Sequence, residues 1–199
     1  MVTHLFPIIT FIVISTFTPG PSNISSASVA LVHGYKKTLI YQAGLALGVF
    51  LLMLISGLFS TMLLNIFPAL EPIMRYVGAG YILYLAYGTL KTSYSFTDDR
   101  VKPLGFISGF MLQILNPKLF VYAFTLFSTF LASISGMMSL LLLACVLLTT
   151  TSFCATSLWA LLGTVIKNYL HNTLLKTTVN IILSLLLVYT AFTLIDVIH

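Results

Sequence analysis

The sequence predicts an all-α, polytopic membrane protein with six transmembrane helices in two inverted three-helix repeats. Three observations carry that expectation. Hydrophobic residues make up 59% of the 199-residue chain and charged residues only 7%, with a mean hydropathy of +1.08. Nine basic and four acidic side chains cannot cover the surface of a soluble domain of this length. The charges fall almost entirely between long apolar runs, and helix-breaking prolines recur at like places in the two halves. Lipid is therefore the expected solvent, and the expected function is one that crosses, senses or acts within a membrane.

A helical crossing takes about 20 mostly apolar residues. Leu5 to Ala30 is uncharged but interrupted by Thr18-Pro19-Gly20-Pro21. It lacks the basic start of a secretory signal, having only His4 before the apolar run, so it is expected to be a retained first helix. Leu39 to Phe67 is uncharged, Ile73 to Leu90 is short, and Leu104 to Leu131 carries only Lys118. Met138 to Val165 is uncharged, and Thr177 to Ile195 ends before Asp196. A membrane barrel would instead show short alternating segments. A single transmembrane domain over residues 1–199 follows, with repeat one at about 1–92 and repeat two at about 103–199. Cys145 and Cys154 share the fifth run about 13 Å apart along a helix axis, too far to bridge, and are expected to be small hydrophobes in lipid.

Basic residues set the orientation. Lys36 and Lys37, then Lys91, Arg100 and Lys102 against Asp98 and Asp99, then Lys167 and Lys176 all fall on one side; Arg75 beside Glu71 falls on the other. The richer side is expected to be the cytoplasm, which puts both termini outside the bacterial inner (cytoplasmic) membrane. The formal charge of +5 is thus a topology signal, and nucleic acid is not an expected partner. A shift of 98 residues superimposes Thr18-Pro19 on Asn116-Pro117. Each half holds an odd number of crossings, so the halves run in opposite senses, the plan of many secondary carriers.

The breaks matter physically. A proline inside a helix leaves the carbonyl four residues back without its donor. Thr18-Pro19-Gly20-Pro21 is expected to stop the first helix and restart it, with Pro21 in the first turn of the second half. The amides near Ser22, Asn23 and Ile24 would then point unpaired into the protein and attract a carboxylate. The carbonyls released by the prolines, with hydroxyls such as Ser22, are expected to accept from an ammonium. Lys118 is the one charge well inside a crossing, costly unless it faces a wet cavity, and Asn116, Pro117 and Gln113 lie beside it. The expected substrate-binding residues are therefore Thr18, Pro19, Gly20, Pro21, Ser22, Asn23, Asn116, Pro117 and Lys118, with Gln42 lining the path. A packing kink, with its carbonyls satisfied internally, is the plainer alternative at the first break.

Other polar residues are quieter. Asn180 is a second path-lining candidate, and Thr149 to Ser152 make the fifth run hydroxyl-rich. Gly44 with Gly48, and more loosely Gly80 with Gly88, read as close-packing faces; Tyr81, Tyr84 and Tyr87 share one side of their helix. No carboxylate lies inside a crossing, so a buried-acid proton relay has no carrier. No glycine-rich nucleotide loop occurs, and His4, His33, His171 and His199 are scattered. No cofactor, metal or catalytic cluster is expected.

The chain resembles the LysE/RhtB family of amino-acid exporters. The resemblance rests on Phe17-Thr18-Pro19-Gly20-Pro21 with Asn23, His33-Gly34, Gln42-Ala43-Gly44, Val77 to Ile82 leading to Tyr84-Leu85-Ala86, and Phe110 to Leu115 ending in Asn116-Pro117-Lys118. It extends over almost the whole chain; the proline-glycine-proline motif with the later asparagine-proline-lysine is its most specific part. Phe110 to Phe130 and Asn180 to Ala191 look most like the branch exporting cysteine and O-acetylserine. The resemblance implies a bacterial inner-membrane exporter of small amino acids or their metabolites, coupled to the proton gradient. Its partners would be a small amino-acid substrate, protons and the bilayer, with a homo-oligomer left open. Glu71 is a departure with no family role assigned. Export of threonine, homoserine or leucine, a small-solute channel, and a membrane enzyme or structural partner are the rival readings.

Overall fold

Apolar helix-forming residues dominate the chain, and in this computed structural model its helices break just before Pro21 and Pro117 and at Gly34. The structure describes residues 5–59, 73, 76–77, 79–87, 90, 104–131, 134, 137–169 and 173–196. Helix α1 is Leu5–Phe17, α2 is Pro21–His33 and α3 is Tyr35–Leu58. Residues 79–87 are helical and are labelled α4. Helix α5 is Phe106–Ile114, and α6 is Pro117–Thr125, which runs on into a π-helical turn, Leu126–Phe130. Helix α7 is Met138–Tyr169 and α8 is Thr173–Asp196. Among the described residues there is no strand.

Both expected breaks are present. Gly20 caps α2 in an extended conformation (φ −164°, ψ 173°) and Pro21 opens the helix, where a missing amide costs nothing. Asn116 caps α6, its side chain accepting from the Leu119 amide at 3.4 Å, and Pro117 opens that helix. Helices α5 and α6 meet at 59°.

One connection is tighter than expected. Gly34 alone separates α2 from α3, at φ 81°, a backbone conformation that favours glycine. Lys36 and Lys37 therefore lie in the first turn of α3 rather than in a loop. Helix α7 likewise continues past Lys167, and Lys176 lies within α8. The other charges used to orient the chain, Glu71, Arg75, Lys91, Asp98, Asp99, Arg100 and Lys102, lie outside the described residues, as do His4, Gly88, His171 and His199.

Two apolar cores flank the breaks. Ile24, Ala27 and Leu31 of α2 pack with Tyr41 and Leu45 of α3, Ile82 and Leu85 of α4, Leu112 of α5 and Leu187 of α8. Val49 and Met53, farther along α3, pack with Leu119, Phe120 and Phe127 after the second break and with Leu141 and Cys145 of α7. Helix α3 spans both cores, so the breaks lie between them. Glycines bring the helices together: a Cβ at Gly44 would overlap the Phe106 carbonyl, one at Gly109 the Tyr41 carbonyl, and one at Gly163 the Ala27 carbonyl. The expected close-packing face at Gly44 and Gly48 is realised against α5, whereas Gly80 faces open space. A Cβ there would meet nothing within 4 Å among the described residues. Cys145 and Cys154 are both free.

The outside of the bundle is apolar. Leu143 and Leu147 of α7, Ile107 of α5 and Leu185 of α8 are exposed, while Ser25, Ser26, Thr38, Gln42 and Ser184 are buried. That inversion suits a lipid solvent. Helices α3 and α7 are each long and apolar enough to cross a bilayer, and α5 with α6 makes a third such crossing if the bent pair is one span.

Candidate functional site

At the first break the carbonyls left over by Pro19 and Pro21 find donors within the protein. Asn23 Nδ2 donates to Thr16 O and to Thr18 O, both at 2.9 Å. Trp159 Nε1, from α7, donates to Phe17 O at 3.3 Å, and Thr18 Oγ1 donates to Ser15 O at 3.5 Å. At the second break, the Gln113 carbonyl released by Pro117 accepts from the Asn116 amide at 3.2 Å. Each of these carbonyls, expected to receive a substrate's ammonium, thus already has one protein donor. An unpaired carbonyl away from water costs about 1–3 kcal/mol, so the chain satisfies its own.

The start of α2 is different. Gly20 supplies no side-chain cap. The Ile24 amide donates to Gly20 O at 2.9 Å, so it is not free as expected. The amides of Ser22 and Asn23 have no protein acceptor among the described residues. The two half-helix starts are thus unequal: Asn116 caps α6, and α2 keeps unspent donors at the positive end of its dipole.

Lys118 sits against that uncapped start. Its Nζ donates to Thr18 Oγ1 at 3.0 Å and would lie 3.2 Å from a Cβ placed on Gly20. The absent side chain at Gly20 is what leaves room for the ammonium. Beneath it, Ser22 Oγ donates to Gln113 Oε1, and Asn116 Nδ2 donates to both Ser22 Oγ and Gln113 Oε1 at 3.3 Å. The end of α5 and the starts of α2 and α6 are thereby tied into one polar junction.

A cavity of about 430 Å³ empty volume opens over this junction. The end of α1 contributes Ser15 and Thr16; the first break contributes Gly20, Pro21, Ser22 and Asn23. Gln113, Asn116, Lys118, Leu119 and Tyr122 come from the second break, and Ser152 and Thr156 from α7. That space includes open solvent, and the wall combines one cation, uncapped amides and hydroxyls.

A model of the LysE type translocator family matches residues 13–196. The chain belongs to the LysE family. Cysteine/O-acetylserine efflux proteins of Salmonella choleraesuis (strain SC-B67) and Salmonella typhimurium (strain LT2) are 34% identical over 182 residues, 92% of this chain and 92% of theirs. The protein of that name from Escherichia coli (strain K12) is 34% identical over 183 residues, again 92% of each. No solved structure matches. With its apolar helices, the LysE membership makes this a multi-pass membrane protein of a translocator family, whose relatives here are named as cysteine/O-acetylserine efflux proteins.

In this LysE-family chain, Gly20, Pro21, Ser22, Asn23, Asn116 and Lys118 come together on the cavity wall. Thr18 and Pro19 are exposed beside it, and Thr18 acts through Lys118. Pro117 is buried behind the wall and sets the start of α6. Gln42 does not face the cavity: it is fully buried, donating to Thr156 O at 3.1 Å and accepting from Ser157 Oγ at 3.3 Å. It fastens α3 to α7 behind Thr156. The side chain of Asn180 lies outside the described residues. Ser15, Thr16, Tyr122 and Thr156 also reach the wall. Ser152 and Thr156 are four apart on one face of α7, and that spacing was the available signal.

Proposed function

We propose that this chain is a secondary transporter exporting small neutral amino acids or their derivatives, of the cysteine and O-acetylserine kind, across the bacterial inner membrane, driven by the proton gradient. The observation that carries this reading is the meeting of Lys118 with the uncapped start of α2 at an open polar cavity. A carboxylate fits there: Lys118 retains unspent N–H donors and the Ser22 and Asn23 amides add more. The LysE match and the efflux relatives support the substrate class. The absence of a carboxylate from the cavity wall favours a substrate without a second positive charge.

In this reading the chain is one transmembrane domain of six crossings. The pair α1–α2 is one broken crossing and α5–α6 its inverted counterpart, in repeats of about 1–92 and 103–199, with both termini outside. The cavity lies along the end of α1 and the start of α6, which is then the outer side. Helix α2 fills the inner side, buried from Pro21 to Leu31 against α7, α3 and α8. Its buried face is oddly polar, and the Ser26 and Ser28 hydroxyls have no partner among the described residues. Parting α2 from its neighbours would wet those hydroxyls and offer an inward route, while rocking of the two halves exposes the same junction to either side.

Counterflow of labelled cysteine, O-acetylserine, threonine, homoserine and leucine into proteoliposomes tests the proposal. Saturable exchange that accelerates with an imposed pH gradient is expected for the first two. Uptake equal to that of empty liposomes for every compound removes the carrier reading. Conductance without saturable exchange replaces it with a channel.

A further inference from the structure

We propose that the hydroxyls of Ser15 and Ser152, with the phenol of Tyr122, form the subsite for the substrate's ammonium group, so that the protein reads an unmodified α-amino group through neutral oxygens alone. The inference rests on the exporter reading and deepens it. It follows from asking which acceptors at the junction already have a protein donor. The carbonyls of Ser15, Thr16, Phe17, Thr18 and Gln113 are taken by Thr18, Asn23, Trp159 and the Asn116 amide. The side chains of Ser22, Gln113 and Asn116 bond to one another, and Thr18 Oγ1 receives Lys118.

What stays unspent on the wall is of another kind. Ser15 and Ser152 line the cavity, and their hydroxyls have no partner among the described residues. Tyr122, 9% exposed, accepts a long 3.5 Å contact from Thr16 Oγ1, and its second lone pair and its proton have no protein partner among the described residues. An ammonium has three donors and no acceptor, and hydroxyl oxygens can meet it. Among the described residues the wall carries no carboxylate, so a free cation finds no counter-charge here. A zwitterion brings its own counter-charge, a carboxylate that Lys118 and the α2 amides on the same wall would hold. An acylated nitrogen loses the charge and two of its donors, and leaves the hydroxyls poorly matched.

The test uses the full-length protein in proteoliposomes, with labelled cysteine and N-acetylcysteine kept reduced. The wild type is expected to exchange cysteine and to exclude N-acetylcysteine. Ser15→Ala with Ser152→Ala should raise the cysteine KM about tenfold or more and erode that exclusion. Thr151→Ala, whose hydroxyl is spent on Leu147 O at 2.9 Å, should stay near wild type, and Ser152→Thr, which keeps the hydroxyl, should raise KM less than Ser152→Ala. If the double variant does not insert as monodisperse protein, Ser15→Ala and Ser152→Ala are read singly, each with a smaller rise in KM. Unchanged KM and unchanged exclusion, or a wild type that carries N-acetylcysteine as readily as cysteine, overturns the subsite and leaves the exporter intact. A wild type that exchanges nothing removes the exporter and the subsite together.

Discussion

The Lys118 ammonium donates to the Thr18 hydroxyl at 3.0 Å across a sequence separation of 100 residues, joining the two helix breaks directly. Lys118 is half-buried, and its head rests over Gly20, the uncapped start of α2. A cation and a helix N-terminus pressed together repel one another mildly. An anion arriving between them would relieve that repulsion, which is the place the proposed carboxylate takes.

Lys118→Ala is expected to insert and fold but to lose export. A charge-assisted hydrogen bond is worth about 1.5–3 kcal/mol, or roughly 10- to 150-fold in kcat/KM. Counterflow by the purified variant checks this, and wild-type rates would retire Lys118 from the site.

Gly20→Ala tests the same contact from the other side. Its φ of −164° accepts any residue, so the backbone tolerates the change. The new methyl would meet Lys118 Nζ at 3.2 Å and push the ammonium away. Export should weaken with little change in melting temperature; a large drop in melting temperature would mean that Gly20 matters for folding instead.

Asn23→Ala should destabilise the protein by about 1–3 kcal/mol, because it strands Thr16 O and Thr18 O at once. Melting in detergent measures this. An unchanged transition would show that water replaces the amide there.

Gly109→Ala places a methyl against the Tyr41 carbonyl and forces α3 from α5. A cost of about 1–3 kcal/mol is expected, again read from melting. Gly80→Ala, with open space around it, should leave the melting temperature within experimental scatter.

Both interruptions were legible in the chain. Pro21 and Pro117 each open a half-helix where a proline belongs, and Asn116 before Pro117 is a capping signal readable from sequence. The single-residue joint at Gly34 was less legible, because its tightness depends on a positive φ that only the surrounding helices impose. Gln42 misled for a related reason. A glutamine in an apolar run signals a polar demand without saying whether a ligand or a neighbour meets it, and here the Thr156 carbonyl does.

Composition and spacing by themselves determined the solvent, the helical class and the positions of the two breaks. Those depend on hydropathy and on relations within four residues along the chain, which sequence displays directly. Only the tertiary structure decided which groups satisfy the broken backbone and which remain open to a ligand. Trp159 reaches Phe17 across 142 residues and Ser22 reaches Gln113 across 91, and no local rule encodes such pairings. They arise because desolvated polar atoms take whatever partner the packing brings within reach, and the atoms left over make the site.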